Sequence, residues 1–378
     1  MKYAGLTWWR NNYGSLLQAY ALQTVLRNDF KLDYEILCQF ERQNNSYGNL
    51  LTNIKKNGAL KTAKKLLWKF GFRKIRKRNA EMQRFINENL IISSKNYNEM
   101  TISEANAFYD GFFCGSDQIW NPCLPGATSM YRLRFAADDK LKIAYAPSIG
   151  VKKMQPNDAK AFKSDLQSFK AISCREQQGT DLINRIMEKE VCQTVLDPTF
   201  LVDLEIWKKM SDKALYEGKY IFAYMLRGTK DQRKQIESFA RKKNLIIITI
   251  PFLDSEKIDI YDFKFGDRKI WDASPKDFLS LIRHSKYVFT DSFHCMVFSC
   301  LFHRTFYAFP KIGQAQNARL YELQNMLGIK DRTISFNNPL VAISEKIQWD
   351  TVDATIQTMK LKSLAYLQSA LSQNGEDT

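Results

Sequence analysis

Short apolar runs alternate with segments of helical periodicity along most of the chain. Runs such as 2–7, 111–114 and 219–225 are typical of buried parallel strands, whereas 15–26 and 230–243 place apolar residues at helical spacing. This alternation occurs in both halves and predicts an α/β protein of two doubly wound, Rossmann-like domains that face each other across a cleft.

The residues typical of turns and the polar residues at the C-terminus suggest where these domains begin and end. We place an N-terminal Rossmann-like domain at 1–200, with a basic helical insertion at 52–80 and a linker at Asp197-Pro198. A C-terminal Rossmann-like domain follows at 201–340. A helical region with a polar tail occupies 341–378.

The stretch 286–303 holds the first candidate for chemistry. Tyr287 to Phe289 form a β-favouring run, and Asp291 and Ser292 are good N-cap residues before a second apolar run. His294 should then lie in the first helical turn, at the carboxyl end of a strand, where open α/β sheets bind ligands. A helix N-terminus favours a nearby anion and a neutral imidazole, which is a candidate acid or base. The alternative is that His294 only packs at the helix start.

Composition narrows the class of protein. With 45% hydrophobic and 25% charged residues, the chain has the balance of a soluble globular protein. The best apolar run, 245–253, is too short for a membrane span, and the N-terminus lacks the apolar core of a signal peptide. The seven cysteines form no C-x-x-C pair, and three histidines give no zinc spacing. We therefore expect reduced thiols, no metal site and a cytoplasmic protein.

The net charge of +16 is concentrated in one segment. No Asp or Glu occurs from Arg42 to Ala80, and apolar residues at Leu60, Ala63, Leu67 and Phe70 alternate with lysines. This pattern predicts a basic amphipathic helix. It is either a solvated surface helix or a contact to an anionic membrane surface through 55–78. Nucleic acid ranks third, because no nucleic-acid-binding motif accompanies the charge.

Six motifs occur in one order along the chain. They are the 8–23 segment with its Asn-Tyr-Gly-Ser turn, Gly-Ser-Asp-Gln-Ile-Trp-Asn-Pro (115–122), Tyr-Ala-Pro-Ser-Ile-Gly (145–150), Ser-Cys-Arg-Glu (173–176), Leu-Asp-Pro-Thr-Phe-Leu (196–201) and Thr-Asp-Ser-Phe-His (290–294). Together they resemble the polysaccharide pyruvyl transferase family over roughly residues 1–335. The resemblance implies a fold similar to GT-B glycosyltransferases. It also implies transfer of a pyruvyl group from phosphoenolpyruvate onto a sugar, as a ketal bridging two hydroxyls; this chemistry requires no metal or organic cofactor.

The chain departs from the family pattern beside the histidine. Many members carry Arg-Leu-His-Gly where this chain has Ser292-Phe293-His294-Cys295. The Arg that would hold the donor is missing, so another cation must replace it. Cys295 in place of Gly is expected to narrow the turn.

The resemblance and the chemistry give a set of candidate site residues. His294 is the candidate acid/base, and Asp117 is a second base or a ligand of acceptor hydroxyls, unless it only caps a turn. The N-terminal domain is expected to hold the acceptor and the C-terminal domain the donor. Arg175, Arg227 and Arg319 are candidates for the donor anions, although each could instead form an ordinary salt bridge. The predicted substrate-binding residues are Asn12, Tyr13, Gly14, Ser15, Gly115, Ser116, Gln118, Arg175, Arg227, Ser292 and Arg319.

Two other functions stay open on the sequence. One is a GT-B glycosyltransferase that binds a nucleotide sugar in its C-terminal domain. The other is a non-catalytic protein that binds polyanions or membranes, as the charge suggests. For the transferase, the acceptor is a sugar or a glycan linked to polyprenyl diphosphate. A lipid-linked acceptor would place the protein at the inner face of the membrane.

Overall fold

The computed structural model describes residues 1–10, 12–39, 73–252, 261–310, 318–335 and 339–372. The chain forms two compact units, each assembled from separate stretches. Unit 1 takes its described residues from Met1–Phe40, Asn89–Lys209 and Pro310–Thr378, and unit 2 from Glu41–Glu88 and Met210–Phe309.

Unit 1 contains a sheet of seven described strands, all parallel, in the order β3-β2-β1-β4-β5-β6-β7. Its centre is almost fully buried: the four residues of β4 are all buried, as are the last four of β1. Helices covering both faces of such a sheet account for these continuous apolar runs. The strands are β1 (Lys2–Leu6), β2 (Asp33–Cys38), β3 (Ile92–Asn96), β4 (Gly111–Cys114), β5 (Leu141–Ala144), β6 (Ala171–Cys174) and β7 (Cys192–Thr194).

Unit 2 contains a smaller sheet, which the described residues build from five parallel strands in the order β10-β9-β8-β11-β12. Phe239 contacts the rings of Tyr287 and Phe289, with centroid distances of 5.2 Å to each, and so packs helix against sheet. The strands are β8 (Tyr220–Tyr224), β9 (Ile246–Thr249), β10 (Arg268–Lys269), β11 (Tyr287–Thr290) and β12 (Thr305–Ala308).

The helices begin where local sequence favours a start. Thr229 and Ser274 each form a capping box with the residue three positions later, and Pro275 occupies the first turn. The helices are α1 (Tyr13–Asn28), α2 (Arg73–Asn89), α3 (Pro156–Leu166), α4 (Gln177–Met187), α5 (Leu204–Met210), α6 (Lys230–Lys243), α7 (Tyr261–Lys264), α8 (Pro275–Arg283), α9 (Phe293–Leu301), α10 (Ala318–Met326) and α11 (Trp349–Leu371). Short 3-10 helices occur at Ile102–Ala107, Ser129–Arg132, Pro198–Phe200 and Leu340–Ala342.

One local expectation is wrong. Asp197-Pro198 is not a linker: Asp197 is only 2% exposed and starts a buried 3-10 turn. Tertiary packing here overrides a local preference. Helix α1 is buried on nearly all sides, and the N-cap of α4 is Glu176.

Each sheet has one topological switch point, where the strand order reverses. In unit 1 it lies between β1 and β4, and in unit 2 between β8 and β11. The carboxyl ends of the paired strands meet there, since Leu6 is opposite Cys114 and Tyr224 is opposite Thr290. Open α/β sheets bind ligands at this place, so these two corners are where functional side chains are expected.

The units divide the chain differently from the predicted domains, whose bounds remain predictions. Helix α11 belongs to unit 1, and three contacts show why. The Tyr366 hydroxyl donates to the Ala144 carbonyl (2.8 Å), the Leu196 amide donates to the Ser363 hydroxyl (3.0 Å), and the Tyr145 and Tyr366 rings are 6.2 Å apart. Most of α2 belongs to unit 2, where Lys77 pairs with Asp272 at 3.9 Å.

Most of the predicted basic helix lies outside the described residues. Only its end is described, as the start of α2, where Arg76 and Lys77 are exposed. Within the described ranges, no helix combines the length and the apolar character needed to cross a bilayer.

We predict that Tyr366→Phe lowers the free energy of unfolding by about 1 kcal/mol, because it removes one of the two hydroxyls, those of Tyr366 and Ser173, that donate to the buried Ala144 carbonyl. Urea titration measures this change. Gln357→Ala, at an exposed position of the same helix, serves as the control and should change stability by less than about 0.5 kcal/mol. Equal effects of the two substitutions would contradict the role of this hydrogen bond.

Candidate functional site

The switch point of unit 2 is held together by Thr290 and Asp291. The Thr290 hydroxyl donates to the Tyr224 carbonyl (2.7 Å) and accepts from the Ser292 amide (3.0 Å). The Asp291 carboxylate accepts from the backbone amides of Leu226 (2.6 Å) and Arg227 (2.7 Å). Asp291 therefore does not cap the following helix, as the sequence suggested, but ties the β8 turn to the β11 turn.

Arg227 is presented to solvent by this arrangement. Its backbone is held by Asp291, whereas its side chain is exposed, and no ion pair involves it within the described ranges. The guanidinium therefore remains available to an incoming anion.

His294 lies in the first turn of α9, as predicted. The N-cap is Ser292, whose extended backbone starts the helix without a side-chain capping bond. The first-turn amides of such a helix have no intrahelical acceptor, so they point their partial positive charge toward this corner. The His294 side chain is 6% exposed and packs edge-on against Phe293, with the ring centroids 5.2 Å apart.

Cys295 does not narrow the exposed end of the helix, contrary to expectation. The residue is completely buried, so its side chain lies on the core side of α9. Burial raises the pKa of its thiol, which therefore stays neutral and does not act as a nucleophile.

The start of α1 forms the first part of the unit 1 corner. The Asn12 side chain caps the helix by accepting from the amides of Gly14 (2.8 Å) and Ser15 (3.4 Å). Ser15 itself is not the cap: its hydroxyl donates to Asp117 at 2.5 Å, while the nearby Tyr13 is buried in the helix start.

The turn after β4 brings Gly115, Ser116 and Asp117 to the same corner. Gly115 has φ +123°, and a Cβ atom there would lie 1.8 Å from the Tyr145 carbonyl oxygen, so only glycine fits. The Ser116 amide donates to the Gln18 side chain (3.1 Å), and its hydroxyl donates to the Ala146 carbonyl (2.9 Å). These bonds link the turn to α1 and to the segment after β5.

Asp117 is engaged through both carboxylate oxygens. One accepts from Ser15, and the other accepts from the Gln118 amide at 2.8 Å and lies 3.8 Å from Arg175. The residue is 6% exposed. Because both oxygens already accept hydrogen bonds, this geometry suits a fixed hydrogen-bond acceptor better than a mobile base.

Arg175 forms the centre of a buried ion network. Its guanidinium lies 3.0 Å from Asp197, 3.7 Å from Glu176 and 3.8 Å from Asp117, with 1% of its side chain exposed. Burying so many charges is tolerable only when they compensate one another. Its three carboxylate partners favour a structural role for Arg175 over contact with a donor anion.

Glu176 joins this network to the segment after β5. One of its carboxylate oxygens accepts from the Ser148 hydroxyl (2.8 Å), the Ile149 amide (2.8 Å) and the Gly150 amide (3.2 Å). Gln118 adds a hydrogen bond within the 115–122 motif, where its side-chain oxygen accepts from the Asn121 side chain at 3.1 Å. The motifs at 115–122, 145–150 and 173–176 thus meet through hydrogen bonds in unit 1.

Arg319 approaches the same network from α10. Arg319 is buried, and this burial is the main reason why the pKa of its guanidinium is lowered to about 10. The positive charge of Arg175 lowers the pKa further in the same direction. Glu322, one turn further along α10, accepts from the Gln178 amide at 3.4 Å. Burial, followed by the charge of Glu176, raises the pKa of Glu322 to about 7.

The predicted site residues fall into two groups. Unit 2 brings together Arg227, Ser292 and His294 at its switch point. Unit 1 gathers a network in which two guanidiniums face three carboxylates, so it carries no surplus of positive charge for a doubly anionic donor. The members in unit 1 are Asn12, Tyr13, Gly14, Ser15, Gly115, Ser116, Asp117, Gln118, Arg175 and Arg319.

Sequence reasoning missed four polar residues that hold the unit 1 corner. Gln18 donates to the Thr7 hydroxyl at 2.9 Å, and Asp197 and Glu176 neutralise Arg175. Gln18, Glu176 and Asp197 lie inside the quoted motifs, so position in a motif was the available signal. Glu322 lies outside them and gave no signal.

A family model described as polysaccharide pyruvyl transferase matches residues 12–310. The chain belongs to the polysaccharide pyruvyl transferase family. The resemblance drawn from the motifs is thus confirmed, and the match covers both switch points. No curated protein sequence matches the chain.

Solved structures show the fold of this family member. A protein assigned as a UDP-N-acetylglucosamine 2-epimerase from Listeria monocytogenes has a TM-score of 0.56 at 8% identity, covering 100% of this chain and 99% of that one. UDP-GlcNAc 2-epimerase from Methanocaldococcus jannaschii has a TM-score of 0.51 at 10% identity, covering 95% and 93%. At such identities the likeness concerns the fold alone, and it confirms the predicted class: two Rossmann-like units of the GT-B type.

We predict that Arg175→Ala destabilises unit 1 by about 3 to 5 kcal/mol, because Asp197 would be left as an uncompensated buried charge. Urea titration measures the loss. The control is Arg134→Ala, whose side chain is 71% exposed and lies 3.9 Å from Asp165; it should cost less than about 1 kcal/mol.

A double variant separates charge from packing. Adding Asp197→Asn to Arg175→Ala removes the uncompensated charge and should recover part of the lost stability. If Arg175→Ala unfolds at the same urea concentration as the wild type, the network has no structural role.

Proposed function

We propose that the chain transfers the pyruvyl group of phosphoenolpyruvate onto two hydroxyls of a sugar, forming a ketal and releasing phosphate. The family match supports a pyruvyl transferase. The observation that carries the reaction is the unit 2 corner: His294 in the first turn of α9, with an exposed arginine on the turn of the adjacent strand.

The reaction requires several proton transfers and no redox step. The methylene carbon of the donor gains a proton, and a sugar hydroxyl attacks the central carbon and loses its proton. The bond from that carbon to the phosphate oxygen breaks, and a second hydroxyl closes the ring and loses its proton. The two hydroxyl protons thus balance one proton on the new methyl group and one on the released phosphate. A single imidazole can both accept and deliver such protons, and this is the role we propose for His294.

Arg227 is the cation that we propose in place of the missing family Arg. Phosphoenolpyruvate carries a carboxylate and a phosphate, both of which guanidinium groups and helix N-termini recognise. Arg227 follows β8, which pairs with the strand that leads into His294. The Ser292 hydroxyl forms no hydrogen bond in the part of the chain that the structure describes, so it is free to add one more donor.

For the acceptor, we propose contacts in unit 1 rather than a second base. Asp117 and Ser15 form a fixed pair whose remaining lone pairs can accept from sugar hydroxyls. Arg319 completes this group by balancing the carboxylates. This division corresponds to the predicted donor and acceptor sides.

The acceptor that we propose is a glycan carried on a polyprenyl diphosphate. The support is the segment 42–80, which contains no acidic residue and would be attracted to the anionic membrane where such lipids reside. Each cation near such a surface contributes about 1 kcal/mol of attraction, which salt weakens.

We predict that His294→Gln lowers phosphate release by about 10²- to 10⁴-fold while leaving the fold intact, because glutamine keeps hydrogen-bonding groups but cannot exchange protons. Phosphate release from phosphoenolpyruvate, with a sugar acceptor, measures the rate. The control is His284→Gln: its ring nitrogen bonds the Ser211 carbonyl at 3.1 Å, away from the switch point, and the variant should turn over normally.

Near-normal phosphate release by His294→Gln would show that the histidine is structural. Stabilisation in a thermal-shift assay by nucleotide sugars, with none by phosphoenolpyruvate, would favour the glycosyltransferase alternative.

Arg227→Ala should raise KM for phosphoenolpyruvate by about tenfold or more, because one charge-assisted hydrogen bond to the donor contributes about 1.5 to 3 kcal/mol. Steady-state kinetics with varied phosphoenolpyruvate measures this change. Arg241→Ala, another exposed arginine of unit 2, is the control and should leave KM unchanged. If both variants have the wild-type KM, Arg227 does not bind the donor.

A further inference from the structure

A cavity of about 890 Å³ lies within unit 1, between α4, α10 and α11. Three threonines of α11, at 351, 355 and 358, line one side, while Asp181 and Glu322 line the others. Its volume falls in the range of about 300 to 1,000 Å³ that is common for ligand clefts. Arg175, its three carboxylate partners and the residues of the His294 corner contribute nothing to this lining, and of the polar residues near the Arg175 network only Glu322 takes part in it.

The lining offers hydrogen-bonding groups that are not yet committed. The Asn325 amide, the Thr351 hydroxyl and the Lys362 ammonium have no hydrogen-bond partner among the described residues. Asp181 uses one carboxylate oxygen to accept from Gln177 (2.7 Å), which leaves the other oxygen available. Amides and hydroxyls that both donate and accept match the hydroxyl groups of a polyol.

Two of these threonines are oriented by their own helix. The Thr355 hydroxyl donates to the Thr351 carbonyl (2.9 Å), and the Thr358 hydroxyl donates to the Ala354 carbonyl (3.0 Å). Because each hydroxyl hydrogen is used in this way, the oxygen lone pairs remain as acceptors for a ligand hydroxyl.

The charges of the lining argue against an anionic ligand. Asp181 and Glu322 supply carboxyl groups, and Lys362 is the single cation among the lining residues. Phosphates and nucleotides require a surplus of cations or free helix amides. At the start of α4 the Gln178 amide already donates to Glu322 at 3.4 Å.

Apolar groups complete the lining. Met326, Met359 and the Ala354 methyl group border the cavity. Thioether and methyl groups adapt to the C–H faces of a pyranose ring, while the polar groups satisfy its hydroxyls. We propose that this cavity is a binding site for a neutral oligosaccharide, held by the uncommitted amide, hydroxyl and carboxylate groups of α4, α10 and α11.

Saturation-transfer NMR on the full chain tests this proposal with three neutral trisaccharides as probes: maltotriose, cellotriose and triacetylchitotriose. We expect saturation transfer to at least one of them. Thr355→Trp fills the cavity from a half-buried position and should reduce the signal by about tenfold or more. Thr358→Trp does the same from an exposed position, where the larger side chain is tolerated without loss of fold.

The matched control is Gln357→Trp, which adds the same side chain to the same helix outside the cavity lining. It should keep the wild-type signal. The absence of transfer to all three neutral probes overturns the proposal, and so does an equal signal from Thr358→Trp and Gln357→Trp. Binding of trigalacturonate in preference to the neutral probes also overturns it. Because only binding is measured, the result is independent of whether the chain transfers a pyruvyl group.

Discussion

The compensation of one buried guanidinium by three carboxylates determines the shape of the unit 1 corner. Arg175 comes from the end of β6, and its partners come from the turn after β4, the start of α4 and the segment after β7. A buried charge is stable only while its partners stay in place, so the network holds four chain segments in one arrangement. The Gly115 turn and the Ser15 hydroxyl are positioned as a result of this arrangement.

Unit 2 presents its candidate chemistry in a different way. Its corner holds few charges. The Asp291 carboxylate accepts from two backbone amides, and the side chain of Arg227 is exposed beside the buried first turn of α9. One unit thus buries balanced charge, and the other leaves positive charge accessible. This contrast is the physical reason for our proposal that the first unit binds sugar hydroxyls and the second binds the donor anion.

Periodicity was sufficient to predict the central strands and the best-capped helices. The strand at Gly111–Cys114 and the helix at Lys230–Lys243 have the predicted bounds. Burial on both faces gives the strand a continuous apolar run, and the capping box marks the start of the helix in the local sequence. The edge strand β3, with Ser93, Ser94, Lys95 and Asn96, has no apolar run to detect. The ion-pair partners of Arg175 could not be predicted from the sequence either, because ion pairs between distant motifs leave no periodic pattern in it. Asp197 was interpreted as part of a linker because Asp-Pro is common in turns, whereas burial determines its role here.

The return of α11 to unit 1 has a consequence for synthesis on the ribosome. The Ser363 and Tyr366 side chains supply partners for Leu196 and Ala144, which emerge long before them. The strands of unit 2, in contrast, form one uninterrupted stretch from Tyr220 to Ala308. The part of the seven-stranded sheet that α11 covers therefore stays uncovered while the strands of unit 2 are translated. Nascent unit 1 is thus the part of this protein most exposed to chaperones and to aggregation before release.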